Sequence, residues 1–232
     1  WIAAVPPRRR PTGAALARPH DRAIPLLDPV VSAIVIKDWR MRTRDIAQLA
    51  RFAMPVIFLF VLFSFRSSRL LDSVRSLGAG PVAATLALLP SWVLLLSLSS
   101  ALGLTAVSLE GRSIWIYSAS PNTVLRMLQA KCCSVALPTA AAVSIAAAVT
   151  EALVHPGWLW AVTATGLAVV QALAVTSLMV GIGAFFARFD WTDVRRMLNP
   201  LAGLLGMLGF MAVVGASALL MAIAVALSSA TS

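Results

Sequence analysis

The apolar and polar positions of this chain sort into long blocks. Five apolar stretches, at residues 46–65, 82–109, 132–154, 158–187 and 201–227, alternate with short polar connections. Each is about 20 residues or longer, the length an α-helix needs to cross the hydrocarbon core. In lipid the backbone must satisfy its own hydrogen bonds, so each block reads as a helix. The pattern predicts an all-α, polytopic integral membrane helix bundle with about five transmembrane helices. The first block is the weakest, because its uninterrupted apolar run covers only residues 52–65. Arg51 lies within that block near one end, where it can snorkel to the headgroups.

Charge sets the orientation. Residues 1–51 hold ten Lys and Arg, 110–131 hold three and 188–199 hold three, all on one side if five blocks span. The opposite side receives three in 66–81 and none in 155–157. The positive-inside rule therefore predicts a cytoplasmic N-terminus. Only 12% of the 232 residues are charged, against about 25% in a soluble domain. The net charge of +10 sits beside apolar blocks and not on a polar face with interleaved aromatics, which argues against nucleic acid. Anionic lipid headgroups and an acidic protein surface are the expected partners. Arg outnumbers Lys 17 to 2 and Ala is abundant, which suggests a GC-rich bacterial genome and a multi-pass protein of the cell (plasma) membrane, the bacterial inner membrane.

Residues 1–28 read as a Pro- and Arg-rich linker, or the tail of an upstream segment. The first residue is Trp, so the chain is expected to be a C-terminal fragment. There is no signal-peptide pattern, because Arg8–Arg10 precede polar sequence and not an apolar run. Residues 29–51 form a modest stripe of Val31, Val35, Trp39 and Ile46 among basic residues. That suits either a basic interfacial helix on the inner membrane surface or a solvated juxtamembrane segment. Residues 52–232 make the transmembrane domain, with a cytoplasmic loop at 110–131.

Within the blocks, small residues at helical spacing predict close packing: Ala140, Ser144 and Ala148 in the third, and Gly203, Gly206 and Gly209 in the fifth. A hinge is the alternative for these positions. Pro90 and Pro138 should kink their helices. The short 155–157 connection predicts an antiparallel hairpin of the third and fourth spans. Cys132 and Cys133 read as two small apolar residues at a helix start, or as palmitoylation sites. No disulfide framework is expected.

In the 110–131 loop, Ser120 followed by Pro121 is a helix start, after which Val124, Leu125 and Leu128 share a face and Lys131 closes the segment at the membrane. Ile114, Trp115, Ile116 and Tyr117 form an aromatic patch that either docks onto a partner or anchors at the interface.

No catalytic constellation is present, and the chain reads as no enzyme. It lacks Gly-x-x-x-x-Gly-Lys-Ser/Thr, Gly-x-Ser-x-Gly and His-Glu-x-x-His, so it binds no ATP through a P-loop. Glu151 and His155 stand four apart at the outer interface. They make either a proton or metal site or a pair of solvated polar groups. Gln171 is the clearest strongly polar side chain deep within a block. With so few intramembrane ionisable groups, an ion-driven mechanism is disfavoured.

Three segments together resemble the permease subunits of ABC-2 type ATP-binding cassette transporters. They are the basic Lys37-Asp38-Trp39-Arg40-Met41-Arg42-Thr43-Arg44-Asp45 stretch ahead of the first span, Glu110-Gly111-Arg112 with Trp115, Ser120-Pro121 and Lys131, and Phe189-Asp190-Trp191 with Arg195-Arg196 and Asn199-Pro200. The resemblance implies the transmembrane permease subunit of an exporter, coupling ATP hydrolysis by a separate ATPase subunit to substrate movement. It assigns Glu110, Gly111, Arg112, Trp115, Tyr117, Pro121 and Lys131 to an ATPase-coupling loop, and Phe189, Asp190, Trp191 and Arg195 to a second cytoplasmic loop. It implies no cofactor on this chain, ATP and Mg on the partner, and a homodimer or a second permease half. The rival expectation is a non-transport membrane protein acting as a structural or regulatory partner.

Overall fold

The computed structural model describes residues 24, 27–46, 48–58, 72–73, 76, 81–114, 124–155, 157–189 and 199–230. Asp28 caps the first helix, α1 (Pro29–Arg44), by accepting the Val30 N–H at 3.0 Å, with Pro29 at the first helical position. This is the cap-then-proline start that leaves fewest orphan donors. A short apolar helix, α2 (Gln48–Phe58), follows; the remainder of the first predicted span, residues 59–65, lies outside the described residues.

Among the described residues, four stretches are long and apolar enough to cross a membrane. The first, Val82–Gly111, contains α3 (Pro81–Ala87), α4 (Leu89–Gly103) and the 3₁₀ turn Ser108–Ser113. Its break at Leu88 realises the expected Pro90 kink, since a proline donates no hydrogen bond one turn back and its ring crowds that carbonyl. The others are α5 (Val124–Val154), α6 (Trp158–Phe185) and α7 (Pro200–Ala230). The all-α membrane bundle expected from the blocks is thus the architecture observed. The Val124–Lys131 segment, expected as a separate loop helix, is instead the first two turns of α5.

Helices α5 and α6 form the predicted hairpin and share the largest helix contact. Its connection holds two residues in the left-handed region, His155 at φ 58° and Gly157 at φ 99°. Ala164, Ala168 and Ala172 line one face of α6 and are fully buried, with Val143 and Ala147 of α5 in the same cluster. The packed face of α5 runs through Val143 and Ala147, with half-buried Ala140 packed against the same cluster; Ser144 is half-buried and Ala148 is exposed. Bulkier Val143 takes the centre because the alanines of α6 opposite leave room for it.

The closest crossings are made at glycines. A Cβ on Gly183 would stand 2.6 Å from the Leu104 carbonyl oxygen, and one on Gly103 2.9 Å from Met179 Cβ. A Cβ on Gly206 would meet Met179 Sδ at 2.7 Å, and one on Gly209 would meet Leu178 Cδ2 at 2.4 Å, whereas Gly203 faces open space. Small residues here let backbones touch. At mid-bundle, Trp92 Nε1–H donates to Gln171 Oε1 at 2.9 Å, and Gln171 Nε2 donates to Ser217 Oγ. One amide thereby joins α4, α6 and α7 with its polar atoms satisfied, as a lipid-embedded bundle requires.

Candidate functional site: a buried charge cluster at the start of α5

Helix α1 lies against the first turns of α5. Val31 and Val35, one turn apart, pack on Ala130, with Ile34 and Cys133 beside them. Of the expected stripe, Val31 and Val35 are buried, while Trp39 is 44% and Ile46 83% exposed. The same face of α1 carries Asp38 inward, one turn after Val35.

There Asp38 meets Lys131. Lys131 Nζ donates to Asp38 Oδ1 at 3.0 Å and Oδ2 at 2.9 Å, and to Glu110 Oε1. Lys37 Nζ completes the group, 2.9 Å from Glu110 Oε1 and 3.2 Å from Oε2. The side chains of Lys131, Asp38 and Glu110 are 3–5% exposed, and that of Lys37 is 40% exposed. Two cations thus face two anions, and the group is neutral in sum. An ammonium offers three donors at one point, and all three of Lys131 are used. Both lysines of the chain stand here among seventeen arginines elsewhere.

Glu110 reaches the cluster from the 3₁₀ turn. Gly111 sits at φ 51°, ψ −133°, a backbone conformation reserved for glycine. That reversal lets the chain turn immediately after Glu110 has pointed inward. The turn is tied to the far end of α6 by the Arg188 N–H, which donates to Ser108 Oγ at 3.3 Å.

A second link involves no charge pair. Pro138 lies inside α5 and has no N–H, so the Ser134 carbonyl one turn earlier loses its helical partner. α1 supplies replacements: Arg42 Nη1–H donates to Ser134 O at 2.8 Å and Trp39 Nε1–H at 3.3 Å. Burial lowers the Arg42 pKa, and the Asp38 carboxylate acts in the opposite direction. A guanidinium stays charged regardless. The Lys37–Asp45 stretch is therefore not merely a basic flank: its side chains complete α5.

Among the residues expected in the coupling loop, Glu110, Gly111 and Lys131 come together here. Glu110 and Lys131 are turned inward, where they hold α1 to the bundle. Arg112 lies in the 3₁₀ turn; Trp115, Tyr117 and Pro121 fall outside the described residues. Of the second loop, Phe189 is half-buried, and Asp190, Trp191 and Arg195 lie outside the described residues. Cys132 and Cys133 pack as partly buried thiols, one against Leu102 and Val135, the other against Val31 and Val35. Among the described residues no three His, Cys, Asp or Glu converge. Asp38, Arg42 and Ser134 went unassigned individually. The one available signal was Pro138, whose missing N–H marks Ser134 as a carbonyl in need of a donor.

Residues 8–232 match the family model described as "Putative ATP-binding cassette". No curated protein and no solved structure matches the chain. The family match overturns the assignment to the ABC-2 type permease subunits: the matching family is described as the ATP-binding cassette, not as its permease. Three short segments of common residue types, none specific alone, had carried the earlier resemblance. The relation to an ATP-binding cassette system stands; the permease role does not.

Proposed function

The chain belongs to the putative ATP-binding cassette family, matched over residues 8–232, and from that membership we propose that it is a membrane-embedded component of an ATP-binding cassette system. The observation that carries the reading is the buried Lys131–Asp38–Glu110 cluster. It fastens a basic helix and a 3₁₀ turn to one end of four membrane-length helices. Such an end is a rigid platform at the membrane surface, on which other components of the system assemble. The surplus of Lys and Arg in 1–51, 110–131 and 188–199 supports placing that platform in the cytoplasm.

ATP and Mg belong, in this proposal, to another component, and the chain is no enzyme. The support is chemical: without a Gly-rich loop and its Lys, no segment of the 232 residues offers the usual cradle for the nucleotide phosphates. The family's description favours the contrary reading, in which this chain holds the nucleotide itself.

One preparation separates the two. The chain is purified from membranes with its native partners, and Mg-dependent photolabelling by an azido-ATP probe is followed on each band. The expected result is a labelled, copurifying protein that carries a P-loop, with this chain unlabelled. Specific labelling of this chain, chased by excess ATP, would overturn the proposal.

A further inference from the structure

The opposite end of α5 carries a carboxylate with nothing to hold. Glu151 is 2% exposed, and both its carboxylate oxygens are buried without a hydrogen-bond partner among the described residues. A buried, unpaired carboxyl group is costly, and such groups in membrane helices mark functional sites by default. The sequence alone allowed a pair of solvated groups for Glu151 and His155. Burial removes that reading for Glu151, while His155 is exposed in the hairpin connection.

A cleft of about 570 Å³ adjoins this carboxylate, between the facing ends of α5 and α6. Glu151 and His155 stand at its polar side. Ala148 and Val162 make apolar walls, Thr165 adds a hydroxyl, and Trp158 stands at the rim, 80% exposed. The volume lies in the range of small-molecule sites, which combine apolar walls with a few polar groups. A single buried carboxylate calls for one compact cation. An indole at the mouth attracts a cation to its face, and the apolar walls suit a hydrocarbon tail. One carboxylate and no converging ligand set argue against a metal ion.

We propose that the Glu151 cleft binds a primary alkylammonium, with the ammonium paired to the Glu151 carboxylate, the chain along Ala148 and Val162, and Trp158 over the entrance. The carboxylate oxygens are covered in the empty cleft, so entry of the ammonium includes a rotamer change that turns them outward. The proposal is independent of the family reading. Its ligand has two natural sources, an aminophospholipid headgroup or a free amphipathic amine.

The test uses the full chain in nanodiscs of phosphatidylcholine and phosphatidylglycerol, with radiolabelled octylamine as the probe. Wild type should bind it saturably at about one per chain. Glu151→Gln should bind at least tenfold more weakly, and Trp158→Ala severalfold more weakly. Val162→Trp fills the cleft and leaves the carboxylate in place; it should also abolish binding, which guards against misfolding of the first variant. Adding phosphatidylethanolamine to the nanodiscs then identifies the source: lost octylamine binding points to the lipid headgroup, retained binding to a free amine, and either sustains the site. Absence of saturable binding by wild type, or wild-type affinity in Glu151→Gln or in Val162→Trp, would overturn it.

Discussion

Helix α5 bears a buried ionisable group near each end, and the two ends follow opposite rules. At Lys131 every donor is used, by two carboxylates that arrive from different elements. At Glu151, about 20 residues and about 30 Å further along the helix, both oxygens lack a partner. The spacing is close to the thickness of the hydrocarbon core, so the two groups sit toward opposite membrane faces. What separates them is what the rest of the chain sends to meet them. α1 and the 3₁₀ turn bring carboxylates and donors to one end, while the other meets the apolar face of α3 through Ala83, Ala87 and Val154. The paired end is built for fixed structure, and the unpaired end keeps an acidic group for something brought from outside.

The comparison breaks most visibly at Lys131. Lys131→Met leaves two buried carboxylates with only the half-exposed Lys37 facing them, and should cost about 3–5 kcal/mol, read as lost resistance to denaturant in micelles. If stability is unchanged, the paired end is not structural. Gly183→Ala comes next: its methyl would press on the Leu104 backbone, which cannot rotate away. A loss of about 1–3 kcal/mol is expected, measured as a fall in the thermal midpoint. Arg42→Ala should cost about 1–2 kcal/mol in the native sequence. In a Pro138→Ala background, where Ser134 regains its helical N–H, the cost should fall by at least about half. A double-mutant cycle showing no coupling would remove the link between Pro138 and α1. Gln171→Leu orphans Trp92 Nε1 within the bundle and should cost about 1 kcal/mol, in line with measured interhelical hydrogen bonds. The smallest effect belongs to the unpaired end. Glu151→Gln without ligand should leave stability equal or raise it by about 0.5 kcal/mol, the opposite sign to Lys131→Met. A large loss there would mean that the carboxylate is structural after all.

The spans were legible because length and apolar content are local properties of a sequence. Membrane-length helices stand at four of the five blocks, and Pro90 located a break to within two residues. The hairpin followed from a connection too short for any other path. Partner choice was not legible. Lys37 and Glu110 are 73 residues apart, and Asp38 and Lys131 are 93 apart, and nothing in either neighbourhood names the other. Glycine spacing proposed the fifth block's contacts correctly at Gly206 and Gly209 but not at Gly203. Spacing defines a face without saying what comes to it. The closest approach of a glycine to another helix's backbone, Gly183 on Leu104, belongs to no stripe. Residue scarcity was the neglected clue: a chain that uses Arg almost everywhere, yet places Lys at 37 and 131, marks the two positions that meet at Glu110.

The Ser134 carbonyl bears on how the molecule is assembled. During synthesis α1 precedes α5 by some eighty residues, and must wait at the membrane surface while intervening helices insert. When α5 enters the bilayer, it brings a carbonyl without a donor and an ammonium without a counter-ion. Both are supplied from one face of α1, through Trp39, Arg42 and Asp38. A helix made before the spans it joins thus acts as a late fastening, and an α5 that has inserted in the wrong register presents no seat for it.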